Sequence, residues 1–334
     1  MNSRSLLIAA IVGALLAAMY FLPQPMLARI DMIWIAIISA ASLNLLIGLA
    51  GQVSLGQAAF MAIGAYAGVV LQRSGVDDLL VGMLCGALLS ALIGLLVGLP
   101  SLRLRGFYLA LTTLALHFAV IFVIYRYQRS VGGEIGFRLN APTLFGYQIA
   151  GVKAWYVLLS VIGVLTLLVF HNLTRSKIGR AWVAVRDRDL AASIIGINVV
   201  YYKLMAFVVS SFVAGMAGAL QAFYIGSASH STYSLEMTVS FIAMIIIGGL
   251  GSVVIGSILG AVIVTQLPFL IQDLSALASG GNATNFVVFD LQTGAFGLII
   301  VGFLLLEPDG LVGIWQRIQR RGRRIFAAGE NVHG

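Results

Sequence analysis

Charge is what this sequence has least of. Only 10% of its 334 residues are Asp, Glu, Lys or Arg, while 60% are apolar and the mean hydropathy is +1.02. Soluble globular proteins carry about 25% charged residues, so this chain has too little polar surface to cover its apolar residues in water. That excludes a soluble enzyme, a nucleic-acid binder and a secreted disulfide scaffold, and makes the lipid bilayer the solvent. Cysteine is nearly absent: Cys85 stands alone and forms no internal disulfide. No Gly-Lys dipeptide occurs, so there is no phosphate-binding P-loop and no ATPase within the chain. His-Glu-x-x-His, Cys-x-x-Cys and paired intramembrane carboxylates are also missing, which argues against an enzyme, a metal site or a bound cofactor.

Uncharged intervals measure the spans. A helix rising 1.5 Å per residue needs about 20 residues to cross about 30 Å of hydrocarbon. Arg4 to Arg29 encloses 24 uncharged residues, Asp78 to Arg103 24, Arg105 to Arg126 20 and Lys153 to Arg175 21, one span each. Asp31 to Arg73 encloses 41, two spans with a break near Gly51-Gln52-Val53-Ser54. Lys203 to Glu236 encloses 32, one span with an irregular tail, and Asp290 to Glu307 encloses 16. The 36 residues between Glu236 and Asp273 are too many for one span and few for two. Gly248–Ser252 in their middle predicts a hairpin of shortened helices and shares the glycine-rich character of Gly48–Gly56. The fold class is therefore all-α, a polytopic helix bundle of about ten membrane segments, or eight plus a re-entrant pair. The first span, near 5–22, exceeds a signal-peptide core and reads as a retained anchor.

Basic residues set the orientation. Fourteen Lys and Arg fall on the side holding both termini and six on the other, which predicts cytoplasmic N- and C-termini. Loops 226–236 and 273–290 carry no Lys or Arg, so both belong outside, with an even number of crossings between them. One domain is expected over 1–316, followed by a basic tail at 317–334. Small residues one turn apart, among them Gly64/Gly68, Gly82/Gly86, Gly94/Gly98, Ala214/Gly218, Gly215/Ala219 and Gly256/Gly260, predict close backbone approach in a compact bundle. Inside the spans, His117 is the only titratable group besides Cys85 and a few tyrosines. That scarcity disfavours a carrier powered by protons or sodium.

The longest polar stretch on the basic side, 171–203, lacks Pro and Gly between Arg180 and Ile195, which predicts one helix with Trp182, Val185, Ala192 and Ile195 on a shared face. Two readings stand: an ordinary positive-inside loop, or a short helix along the membrane docked into another protein, with Ala191, Ala192 and Gly196 permitting close packing. Asp187 and Asp189 interrupt the positive run, so it is not a simple lipid-binding polybasic segment.

Gly179-Arg180-Ala181, Ala191-Ala192 and Gly196-Ile197 resemble the cytoplasmic loop of permeases for branched-chain amino acids and similar solutes, the membrane subunits of ATP-binding-cassette importers. Ser42–Leu46 through Gly51–Gln57 and Gly64-Ala65-Tyr66, Leu102–Leu114 and Glu307–Gly313 are similar to other segments of that family, so that the likeness spans about 30–315. One departure is Val131 before Gly132-Gly133, where Thr is usual.

This resemblance implies an ATP-driven importer for branched-chain or other neutral amino acids, with urea, short amides or a sugar as alternatives of the same type. A self-sufficient carrier or channel is the alternative of another class. It implies two ATPase subunits that carry ATP and magnesium, a second related permease and a periplasmic solute-binding protein, in the bacterial inner membrane. Residues 171–203 become the coupling loop. Gly179, Arg180, Arg186, Asp187, Asp189, Ala191, Ala192 and Gly196 are its ATPase-coupling candidates. Asn44, Gln52, Ser54 and Gln57, around the break between spans two and three, are candidates for the translocation path.

Overall fold

A computed structural model describes residues 20–101, 106–131 and 135–278, with short pieces at 294, 297–298, 302 and 310–313. The predicted spans near 5–22 and 290–307, the basic tail and the Gly132-Gly133 motif lie outside the described residues or nearly so. Among the described residues, ten α-helices and four short strands follow in order. Helix α1 (Gln24–Asn44) runs into a π-helical turn (Leu45–Leu49), and α2 is Gln57–Arg73. Next come α3 (Leu79–Ser101), α4 (Phe107–Val131) and the two-residue strands β1 (Phe137–Arg138), β2 (Thr143–Leu144) and β3 (Tyr147–Gln148). Then α5 (Val152–Arg175), α6 (Lys177–Asp187), α7 (Asp189–Ile194) and α8 (Val199–Ile225) lead to β4 (Ser227–Ala228), α9 (Leu235–Gly248) and α10 (Ile255–Ala278).

Among the described residues, five segments are long and apolar enough to cross a membrane: Gln24–Leu49, Leu79–Leu99, Phe107–Val131, Val152–Arg175 and Val199–Ile225. The long helices alternate between two ends of a bundle, one bearing α6 and α7, the other the strands. Between 235 and 278 the chain forms the hairpin pair expected from Gly248–Ser252, with α9 only 14 residues long. Four two-residue strands decorate the all-α bundle at its other end. Antiparallel β1–β4 ties the α4–α5 connection to the end of α8, and β2–β3 is a hairpin turning at Phe145 and Gly146. Their two-residue runs are too short to show a period in the sequence.

Helix α1 sits at the centre, against α5, α8, α9 and α10, while α2, α3 and α8 form a second tight group. Lipid gives helices no hydrophobic reason to associate, so close backbone packing must do it. The glycines serve that purpose. A Cβ on Gly86 would lie 2.7 Å from the Gly64 carbonyl, and one on Gly215 2.7 Å from the Gly86 carbonyl. A Cβ on Gly218 would strike the Met61 backbone, and one on Gly260 the Met244 backbone. The small-residue pairs thus mark the α2–α3–α8 and α9–α10 crossings.

Candidate functional site

At the end bearing α6, the two glycine-rich breaks of the bundle meet. The π turn widens the end of α1 and presents Gly48, where an added Cβ would lie 2.8 Å from the Cα of Gly251. Asn44, fully buried, fastens the breaks together. Its amide donates to the carbonyls of Gly249 (3.3 Å) and Ser252 (3.2 Å) and to Ser257 Oγ (3.4 Å), and its oxygen accepts from the Gly251 N–H (2.9 Å). The similarity between Gly48–Gly56 and Gly248–Ser252 is thus a contact in three dimensions.

Helix α6 lies on this knot. Ser176 starts it, its hydroxyl accepting from the N–H groups of Ile178 (3.1 Å) and Gly179 (3.4 Å). Gly179 is needed where α5 turns into α6, because a Cβ there would enter the Thr174 carbonyl. Trp182 is fully buried, and its indole N–H donates to the Tyr202 carbonyl at 2.8 Å. Arg186 reaches from the same helix to the break itself: Nη1 donates to the Gly48 carbonyl at 2.6 Å while Nε donates to Asp187 at 3.0 Å. Its aliphatic stem covers Gly51, where a Cβ would sit 2.7 Å from Arg186 Cγ. The Asp189 carboxylate pairs with Lys203 at 2.6 Å, and the Gln52 amide donates to the Lys203 carbonyl at 3.0 Å. One cluster therefore joins α6, α7, the start of α8 and both breaks.

One expectation for the 171–203 segment changes. It is not one helix, because the backbone at Arg188 is extended (φ −154°, ψ 99°) and α7 begins afresh after it. The break turns Asp189 toward Lys203 and sends Ile195 outward, 73% exposed, off the face that Trp182, Val185 and Ala192 bury. Within the chain no atom lies within 4 Å of a Cβ added at Gly196, and its φ of +87° reverses the chain after α7. The Ile197 N–H closes that turn on the Ala192 carbonyl at 3.0 Å. Ala192 is buried against its own chain and Ala191 is exposed. Arg180, whose guanidinium donates to the Arg175 carbonyl at 2.9 Å, and Asp187 are exposed.

Sequence reasoning missed what faces outward here. Leu190, Ile194 and Ile195 on and after α7 are 72%, 84% and 73% exposed, an apolar patch on a polar loop. Apolar residues three to five apart in a helical stretch read as a buried stripe, so the sequence held no signal for exposure.

The path candidates are all buried and hydrogen-bonded within the chain. The Gln57 amide donates to the Ser39 carbonyl (3.0 Å) and to the hydroxyls of Ser39 and Ser42 (both 2.9 Å), and Ser54 Oγ accepts from the Gly56 N–H (3.3 Å). A groove of about 840 Å³ among α2, α3 and α4, lined by Leu88, Leu92, Val120 and Val123, is almost wholly apolar and unsuited to a polar solute.

Asp31 is a second buried titratable group, beside His117, on a helix long and apolar enough to cross a membrane. Asp31 lies in α1 about 10 Å from the helix start, at 1.5 Å per residue, and its exposure is 0%. Asp31 edges an uncharged interval in the sequence, whereas the helix begins seven residues earlier, at Gln24.

The family model for the branched-chain amino acid transport system permease component matches residues 30–306. The chain belongs to that family. It is 31% identical over 277 residues to the high-affinity branched-chain amino acid transport system permease protein LivM of Salmonella typhimurium, covering 75% of this chain and 65% of that one. It is 29% identical over 282 residues to LivM of Escherichia coli, covering 76% and 66%. The chain thus spans just under two thirds of the length of these relatives. Autoinducer 2 import system permease protein LsrC of Salmonella typhi is 32% identical over 136 residues, 39% of this chain and 36% of that one. No solved structure matches the chain.

Proposed function

We propose that this chain is the membrane-spanning permease subunit of an ATP-driven importer of branched-chain or other neutral amino acids. Its partners are two ATPase subunits, a second related permease and a periplasmic solute-binding protein. The observation that carries the reading is the cluster joining α6 and α7 to the two breaks through Arg186, Gln52 and Asp189–Lys203. A permease without a P-loop must take its power from outside, and a helix latched to broken spans is a suitable lever. In this reading the exposed Leu190, Ile194 and Ile195 enter a groove of the ATPase, flanked by Arg180, Asp187 and Arg188. ATP-driven closure of the ATPases shifts α6, the shift passes through Arg186 to Gly48, and the bundle switches between outward- and inward-open states. The α6 end and both termini then lie in the cytoplasm of a bacterium, with about ten segments in the inner membrane. The chain catalyses no reaction, and ATP and magnesium bind to the ATPases alone.

Reconstitution tests this. The complete complex in liposomes, with ATP on the α6 side and loaded binding protein on the other, should accumulate leucine only while ATP is hydrolysed. Leucine flux through the permease subunits without ATPases would sink the proposal in favour of a self-sufficient carrier.

A further inference from the structure

The apolar groove among α2, α3 and α4 ends in a recess of the opposite character. On each helix the groove covers eight residue steps: Ile63 to Leu71, Cys85 to Ile93 and Ala119 to Tyr127. At 1.5 Å per residue that is about 12 Å, close to one leaflet of a bilayer whose hydrocarbon is about 30 Å thick. Leu71 lies two residues from the end of α2 and Tyr127 four from the end of α4, so the groove occupies the half of the bundle nearer the strands. Where it ends, Tyr127 also lines a second cavity of about 410 Å³, formed with Arg126, Arg129 and Ser130. Both arginines are exposed, and neither has an ion-pair partner among the described residues. Arg129 donates only to the Tyr125 hydroxyl, at 3.2 Å. Asp77 and Asp78, the acidic residues of the α2–α3 connection at the same end, pair with neither; Asp78 accepts instead from the N–H groups of Leu80 (2.9 Å) and Val81 (3.2 Å). A third cation, Arg73, lies 5.3 Å from the centre of the Phe137 ring, and that ring packs 5.7 Å from Tyr127.

Exposed apolar side chains on a membrane helix simply touch lipid. A concave groove of about 840 Å³ that runs up to unpaired arginines is a more particular shape, apolar along its length and cationic at its mouth. Two features choose its occupant. A spanning helix of another subunit needs about 20 residues to cross, whereas the groove stops after the depth of one leaflet. Unpaired guanidinium groups at a membrane surface attract anions, and their planar fork matches phosphate oxygens. We propose that the groove and the recess together bind an anionic phospholipid of the leaflet on the strand side, its acyl chains between α2, α3 and α4 and its phosphate on Arg126 and Arg129. The site goes beyond the importer reading and stands or falls separately, because its readout is lipid binding and not transport.

The test is native mass spectrometry of the purified complex, stripped of lipid in detergent and titrated with phosphatidylglycerol or with phosphatidylcholine of the same acyl chains. Wild type should bind phosphatidylglycerol about ten-fold more tightly, the preference that charge-assisted hydrogen bonds confer. Arg126→Ala/Arg129→Ala should erase that preference. Arg138→Ala, which removes an exposed cation of the same end that lines neither cavity, should keep it. Ala119→Trp, which fills the groove, should weaken both lipids several-fold with every subunit retained. Soluble glycerol phosphate in excess should leave the lipid bound. Equal binding of the two lipids by wild type would overturn the inference, as would an unchanged preference in the double arginine variant. Loss of the preference in Arg138→Ala would reduce the site to diffuse charge, and displacement by glycerol phosphate would reduce it to a phosphate site; either overturns it. Ala119→Trp that binds lipid as wild type does, or that sheds a subunit, overturns it too, the second because protein then covers the groove. If Ala119→Trp yields no folded chain, the double arginine variant decides alone.

Discussion

Asn44 spends its whole side-chain amide on one turn of the chain. Four hydrogen bonds connect it to Gly249, Gly251, Ser252 and Ser257, more than 200 residues away. No other residue type of that size supplies two donors and a carbonyl acceptor together. Asn44→Ala leaves a buried N–H and several acceptors unmade, which costs about 1–3 kcal/mol for a group of this kind. The expected outcome is a lower Tm for the purified complex and weaker ATP-to-uptake coupling; a Tm equal to wild type would show that the breaks hold each other without it. In the sequence Asn44 was visible only as a polar residue beside a glycine-rich break, a candidate path lining. Its partners lie too far along the chain for spacing to reveal them. Asp31 was hidden for the opposite reason: one charge among apolar neighbours looks like the end of a span when only charge-free lengths are counted.

Helices were easier to read than their faces. The breaks at Gly48–Gly56 and Gly248–Ser252 were legible because glycine and polar residues interrupt long apolar runs, and the hairpin between Glu236 and Asp273 followed from length alone. The break at Arg188 was not, since Ala181–Ile195 contains neither Pro nor Gly. A tertiary pair, Asp189 with Lys203, outweighs local helix propensity there. Small residues showed that helices touch, but which helices touch is decided by packing. Gly218→Val tests the α2–α8 crossing: the added atoms meet the Met61 backbone, which cannot swing aside like a side chain. Overpacking of this kind costs about 1–3 kcal/mol, and the expected readout is a reduced yield of monodisperse protein and a lower Tm. Wild-type behaviour would place the two helices farther apart than described here.

The proposed power transmission belongs to the whole molecule. Arg186 alone connects α6 to the Gly48 carbonyl, through a charged donor at 2.6 Å, and such bonds contribute about 1.5–3 kcal/mol. Arg186→Ala should leave the complex assembled, because Trp182, Asp189–Lys203 and Gln52 still hold the loop. ATP hydrolysis should continue while uptake per ATP falls several-fold, as measured by paired hydrolysis and uptake assays in liposomes. Unchanged coupling would move the lever away from α6. The surplus positive charge behind the predicted orientation lies partly at this end of the bundle, where Arg180 and Arg188 are exposed and Arg186 reaches in to Gly48.

Composition by itself determined the solvent and the helical class, because long uncharged apolar runs suit helices that cross lipid. Motif order across 30–315 pointed to the family. Tertiary structure decided what each polar residue does. Within a nearly uncharged chain the few polar groups find one another across hundreds of residues, and their bonds depend on which helices lie side by side. Thus Asn44 became a fastener, Arg186 a bridge to Gly48, Ile195 an exposed residue, and Asp31 a buried one.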